Sequence, residues 1–202
     1  VVTVVGVWWV CVLTLYAFST ENWARPQPEV DYLMRLLQDY ARREESELRR
    51  NGVRLNVIGR RERLPPPLLN TLDRAMRETC DGERLILNLA INYGGRAEIV
   101  DAVRLLTRAV RRGEVDPRQV DEATFGRFLY TAGMPDPDLV IRTAGERRSS
   151  NFLLWQAAGS FFWSAPVCWP DFQETDPLAA IRAWREYKEE TSVESTGITE
   201  RG

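Results

Sequence analysis

The run Ser19-Thr20-Glu21-Asn22-Trp23-Ala24-Arg25-Pro26 collects two hydroxyls, a carboxylate, an amide, an indole and a guanidinium directly after an apolar stretch. Such a set can hold an anion and accept a proton. It can equally be the cap of a following helix, because Ser, Thr and Asn are common at that position. A second set, Arg142, Arg148, Ser149, Ser150 and Asn151, stands just before the apolar residues 152–156. Residues 151–158 read as helical. Two guanidiniums and a hydroxyl at a helix N-terminus would make an anion site favoured by the helix dipole. A diphosphate fits it better than a carboxylate, since it offers more oxygens to the forks. A capped helix with solvated arginines is the alternative. A third set, Asn92-Tyr93-Gly94-Gly95-Arg96, is a weak phosphate-loop signal, lacking both the lysine and the GxGxxG spacing of known cradles.

Each set comes after a run that reads as a strand. Val10–Phe18 reads as buried β, 53–59 alternates as a short strand, and 85–91, 138–141 and 160–164 come next. Between them lie helical patterns over 28–50, a segment opened by Pro65-Pro66-Pro67, and 97–112, 122–130 and 177–189. In the third helix Ile99, Val103, Leu106 and Val110 are expected inward. Strands alternating with helices predict an α/β fold, a central mostly parallel sheet flanked by helices. The strand ends of such a sheet share one edge, where ligands gather. No internal repeat or linker divides the chain, so residues 1–202 read as a single domain, with 1–11 atypical and the polar tail 191–202 loose.

Composition limits the chemistry. The chain has 202 residues, no histidine and a net charge of −2. Imidazole bases and His metal sites are therefore out, and a general nucleic-acid partner is not expected. Lys188 is the single lysine; the arginine skew suits phosphate recognition or reflects composition alone. Cys11, Cys80 and Cys168 lack metal-ligand spacing and read as buried thiols in a reducing compartment. The uncharged start, 1–18, is long enough to raise a membrane span. Its valine-rich make-up, lack of a basic flank and direct passage into the polar motif speak against a span and favour a strand over 10–18, with 1–9 unassigned.

In this order, YAFSTENWARP (16–26), NYGGR (92–96), DLVIRTAGERRSSNFLLWQ (138–156) and WPDF (169–172) resemble the cis-prenyltransferases, the undecaprenyl diphosphate synthase group, over about Val12 to Phe172. The resemblance implies an isoprenyl transferase that condenses isopentenyl diphosphate with an allylic diphosphate to a Z-polyprenyl diphosphate, with Mg²⁺, as a cytoplasmic homodimer able to touch a membrane surface through its product. It further implies a hydrophobic tunnel for the growing chain. By the same resemblance Ser19, Thr20, Glu21, Trp23 and Arg25 contact the allylic substrate. Arg142, Arg148 and Ser150, with Ser149 between them, hold isopentenyl diphosphate. Asn22 occupies the position assigned to proton removal. A neutral amide is a poor base, so Asn22 is expected to orient groups while Glu21 or a diphosphate oxygen takes the proton.

The chain departs from the family in three places. An Asp-Gly-Asn-Gly-Arg type loop, whose aspartate binds Mg²⁺ in the family, is not found here. The glutamate that completes the metal site is replaced by Phe161, and the family's arginine-rich closing tail by 187–191. Both family metal ligands are thus absent from this sequence, and no metal-ligating residue is assigned. Asp138, Glu146 and Asp171 match family motifs in structural roles. The alternative function is a catalytically silent homologue, truncated or acting as a binding subunit.

Overall fold

The computed structural model describes residues 10–197, with side chains through Thr191, so the expectations for 1–9 and 198–202 lie outside it. The strands are β1 (Val12–Ser19), β2 (Val53–Ile58), β3 (Leu85–Tyr93), β4 (Leu139–Arg142) and β5 (Phe161–Ser164). The helices are α1 (Gln27–Arg50), α2 (Pro66–Glu78), α3 (Gly95–Arg111), the short α4 (Glu122–Gly126) and α5 (Thr175–Gly197). A 3-10 turn, Thr20–Ala24, comes directly after β1. Among the described residues all pairings are parallel, in the orders β1-β3-β2 and β4-β5. Parallel neighbours need long crossovers: α2 lies between β2 and β3, α1, β2 and α2 lie between β1 and β3, and residues 143–160, with one 3-10 turn, lie between β4 and β5. The expected parallel α/β architecture is therefore present, as two sheets among the described residues.

Local chemistry explains the boundaries. Proline stands in the first turn of α1 and of α2, where a missing N–H costs nothing. Asn51 and Gly52, the latter at φ +67°, end α1. The three-stranded register is held by a polar row. Asn56 donates to Asn88 at 2.8 Å and Asn88 donates to Thr14 at 3.3 Å, each between register partners. A one-residue slip would strand the fully buried Asn88 amide. Phe18, Val30, Met34, Leu68, Leu72 and Ile91 form one core cluster, packing α1 and α2 on the sheet. Each such burial contributes roughly 1.5–3 kcal/mol.

Several expectations need correction. Residues 151–158 are not helical: Asn151 and Leu153 have φ of +63° and +44°, and only Gln156–Gly159 makes a 3-10 turn. The anion site therefore cannot draw on a helix dipole there. In α3 the buried positions are Gly95, Glu98, Ala102 and Ala109, while Val103 is exposed, because Glu98 is drawn inward by hydrogen-bonding partners on other segments. The helix expected over 122–130 stops at Gly126, and the last helix runs on to Gly197, past the expected end at 189. Only Phe18 of β1 is buried, since among the described residues this strand pairs on one side alone. All three cysteines are exposed. No helix among the described residues is long and apolar enough to cross a membrane.

Candidate functional site

Because the strands are parallel, Ser19, Ile58 and Tyr93 end on one edge. The β1–β3 register slips at that edge. Tyr16 pairs with Ala90, Phe18 with Ile91 and Ser19 with Tyr93, so Ala17 and then Asn92 are left over. Bulges of this kind bend a strand and re-aim the segment after it. Here the loop after β1 turns over the end of β3.

Glu21 is the centre of that loop. Its Oε1 accepts from Asn151 Nδ2 at 2.7 Å and its Oε2 from Thr20 Oγ1 at 3.0 Å. Partial burial pushes its pKa up, but the bonds from Asn151, the backbone, Thr20 and Ser19 outweigh this and hold it below the usual carboxylate value. Asn22 Oδ1 accepts from the Ser19 backbone N–H at 2.8 Å, so this amide shapes the loop. Trp23 packs edge-on to Phe18, 5.0 Å between centroids, and donates from Nε1 to Asn92 Oδ1 at 2.7 Å. Arg63 lies 4.2 Å over the same indole. Arg25 is paired with Glu29 one helical turn on.

On the other side, Arg142 leaves β4 and donates from Nη2 to Ser150 Oγ at 3.1 Å, while its buried Nε finds no acceptor. Arg142 forms no salt bridge with a carboxylate among the described residues, which leaves its guanidinium open to an external anion. Tyr16 joins the two sides. Burial first, and the Glu21 carboxylate second, raise its phenol to about 12, while Ser19 and Arg142 pull the other way. Its ring stacks on Phe152 at 4.6 Å. Arg148 is exposed and bound to Glu146 in its own loop. The Ser149 carbonyl accepts from the Phe152 N–H at 3.1 Å. Glu21, Thr20, Ser19, Asn22 and Trp23 thus cluster, as do Arg142 and Ser150. Arg25 and Arg148 are occupied by acids nearby.

Four residues hold these loops together: Tyr16, Asn92 and Asn151, which stand in the sequence motifs but were given no role of their own, and Arg63, which the motifs do not include. Asn92 and Asn151 have left-handed φ, +50° and +63°, as asparagine tolerates better than most residues. For Asn92, an Asn at a strand exit was the available signal. The Gly94-Gly95 pair is explained by packing. A Cβ on Gly94 would stand 2.6 Å from Thr20 Oγ1 and 2.7 Å from Asn151 Nδ2, and one on Gly95 would stand 2.7 Å from Leu154 Cγ.

Asn92 is buried, donates to the carbonyls of Arg60 and Glu62 at 3.0 and 2.9 Å, and accepts from Trp23. Asn92→Gly removes three bonds but relaxes the backbone, so it is expected to cost about 1–2 kcal/mol. Asn92→Asp keeps the acceptor for Trp23 but turns an oxygen toward two carbonyls, and should cost more, about 2–4 kcal/mol. Urea denaturation of both variants checks the order; a more stable Asp variant would refute the bonding scheme.

The described residues do not fit Mg²⁺, which demands several oxygen ligands in near-octahedral array. Among them no three Asp, Glu, His or Cys side chains come together. The Glu21 oxygens are taken by Asn151 and Thr20, and those of Glu146 by Arg148. Phe161 is stacked on Tyr187, 4.9 Å between centroids.

The fold and site define a parallel α/β protein with an open guanidinium–hydroxyl pair facing a carboxylate across a strand edge. The model of the family described as "Putative undecaprenyl diphosphate synthase" matches residues 1–192, a longer span than the motifs alone, and the chain belongs to this family. A protein called isoprenyl transferase from Heliobacterium mobile is 50% identical over 169 residues, 84% of this chain and 65% of that protein. One of the same name from Clostridium tetani is 47% identical over 173 residues, 86% of this chain and 68% of that protein. The chain thus spans about two thirds of these relatives' length. The crystal structure of lavandulyl diphosphate synthase from Lavandula x intermedia in complex with dimethylallyl diphosphate superposes with a TM-score of 0.87 at 36% identity, over 91% of this chain and 80% of that one. That of "a probable undecaprenyl diphosphate synthase" from Campylobacter jejuni gives 0.80 at 29%, over 91% and 84%.

Proposed function

We propose that the chain is an isoprenyl transferase that joins isopentenyl diphosphate to an allylic diphosphate, forming a Z-polyprenyl diphosphate. The observation that carries this is Arg142, whose buried Nε lacks an acceptor and whose guanidinium is bonded to the Ser150 hydroxyl. A diphosphate oxygen would complete it. Arg142 and Ser150 then hold isopentenyl diphosphate, with Ser149 beside them and Arg148 recruited from Glu146. Ser19, Thr20, Glu21, Trp23 and Arg25 face the allylic diphosphate. As the allylic C–O bond breaks, diphosphate leaves. The isopentenyl double bond attacks the cation, and loss of one proton restores an alkene.

The cation makes the departing proton acidic, so a weak base suffices. Glu21, held in its ionised form, serves as that acceptor, and Asn22, already bound to the Ser19 N–H, orients the loop. Mg²⁺ is what family membership implies, but the described residues do not supply a ligand set for it, and no step is assigned to it. Homodimer assembly and a cytoplasmic, membrane-peripheral location are part of the same proposal.

The test is incubation of the chain with farnesyl diphosphate, isopentenyl diphosphate and Mg²⁺, with analysis of the extracted polyprenyl products. Glu21→Gln is expected to lower turnover at least tenfold. Near-normal turnover in Glu21→Gln, with Asn22→Ala inactive, would remove Glu21 from the proton step. An inert parent chain that still binds isopentenyl diphosphate would favour a silent binding homologue.

A further inference from the structure

Asn151 belongs to the loop of the Arg142–Ser150 pair, yet its contacts lie outside it. Its Nδ2 donates to Glu21 Oε1 at 2.7 Å, and its Oδ1 accepts from the Arg96 backbone N–H at 2.9 Å. Its carbonyl accepts from the Gly95 N–H at 2.7 Å. One left-handed residue therefore ties the loop after β4 to the first turn of α3 and to the carboxylate after β1. Gly94 has no room for a side chain against this amide, so the close approach is built into two loops. The next residue back, Ser150, is the one that Arg142 grips.

We infer that Asn151 is a positioning residue, fixing the Glu21 carboxylate relative to the Arg142–Ser150 anion pair so that the proton acceptor is registered to the bound isopentenyl group. This rests on the proposed transferase function and adds to it a coupling between the two halves of the site. An anion seated on Arg142 and Ser150 orders the 149–151 loop, and through one amide the same loop sets the position of Glu21. The other groups facing Glu21 are Ser19 and Thr20 in its own loop and the Tyr16 phenol, which also faces Arg142. Direct contact with Glu21 through a side-chain donor from another element is made by Asn151 among the described residues.

Two variants separate positioning from simple helix capping. Asn151→Gly suits the left-handed backbone but loses both side-chain bonds. Asn151→Asp keeps an oxygen for the Arg96 N–H while placing a carboxylate against Glu21. Loss of the donor must raise the Glu21 pKa, and a like charge must raise it further. The Glu21 carboxyl is tracked by carbon-13 NMR titration in the full chain, alongside melting temperature, kcat and KM for isopentenyl diphosphate. The expected result is an upward shift of the Glu21 midpoint in both variants, larger for Asp, with kcat lowered at least tenfold and KM changed less than threefold. A capping role alone predicts an Asp variant with parent-like kcat, and that result, or an unmoved Glu21 midpoint in both variants, would overturn the inference. The titration needs no turnover, so an inactive parent chain would count against the transferase reading while the Asn151–Glu21 coupling was still decided.

Discussion

Arg142→Ala is expected to fold as the parent does and to lose isopentenyl diphosphate binding by a factor of at least about 30, the lower end of what removing one partner of a buried charge pair costs. The reason lies in how Arg142 is bonded. Arg142 holds one hydrogen bond, to Ser150, and keeps a buried Nε–H without an acceptor. A buried donor left unpaired costs about 1–3 kcal/mol, so the protein carries this group at the expense of stability. Truncation should therefore leave the melting temperature unchanged or raise it. Arg142→Lys keeps the charge but not the planar fork, and is expected to recover part of the binding. Calorimetry with isopentenyl diphosphate reads the affinity. Parent-like binding in Arg142→Ala would remove this residue from the substrate site and with it the main support for the functional reading.

Arg25 and Arg148 make the contrast. Each is exposed and paired with an acid near in sequence, Glu29 and Glu146. Exposed pairs of this sort are worth about 0–1 kcal/mol, little enough for a diphosphate to exchange for. Three arginines that look alike in sequence thus differ in readiness. Arg142 is open as it stands, whereas the other two must first leave a partner.

How legible all this was depended on whether a signal was local. The parallel α/β alternation could be read because each strand and crossover helix carries its own hydrophobic period. β2, β4 and β5 fall within one residue of expectation. The hydroxyl, carboxylate and guanidinium sets could be read because they stand at strand ends, but β4 lies in a second sheet, and its loop is linked to the end of β1 by the Asn151–Glu21 bond. The stretch 151–158 misled for a physical reason. Its apolar residues, the buried Leu153 and the half-buried Phe152, pack on an irregular backbone against Tyr16 and Tyr93, and burial of that kind has the composition of a helix without its dihedrals. Asn92 and Asn151 act through bonds to partners 69 and 130 positions away, which no window along the chain can contain. The inward face of α3 was misjudged because its anchor is polar. A hydrophobic period points to Val103, whereas the fold turns Glu98 to the interior.

That anchor carries the largest stability effect expected in the molecule. Glu98 is almost wholly buried and receives three hydrogen bonds, all from uncharged donors. Its Oε1 accepts from the Tyr130 backbone N–H at 2.8 Å and from Gln156 Nε2 at 3.0 Å, and its Oε2 accepts from the Tyr93 phenol. Asp101, one turn on, accepts from the Tyr130 hydroxyl at 2.6 Å and holds Arg60 in a two-point pair. Glu98 therefore fixes the start of α3, the segment after α4 and the approach to β5 around Tyr93, whose ring packs against Tyr16 and Phe152 beneath the site. Burial first, and the Glu98 carboxyl next, push the Tyr93 phenol far up, so it stays a donor at any ordinary pH. Glu98→Ala would strand three donors, and a loss of about 3–5 kcal/mol is expected, on the order of 10 °C in melting temperature for a chain of this size. Glu98→Gln is different. Its carbonyl oxygen can still accept from Tyr130 and Gln156, and its amide can donate to the Tyr93 oxygen, so the loss should stay within about 1.5 kcal/mol. Thermal and urea denaturation of the pair decide the matter. If Gln were as damaging as Ala, a negative charge and not an acceptor array would be what the interior requires. If both were harmless, the three-donor cluster would not be holding the helix at all.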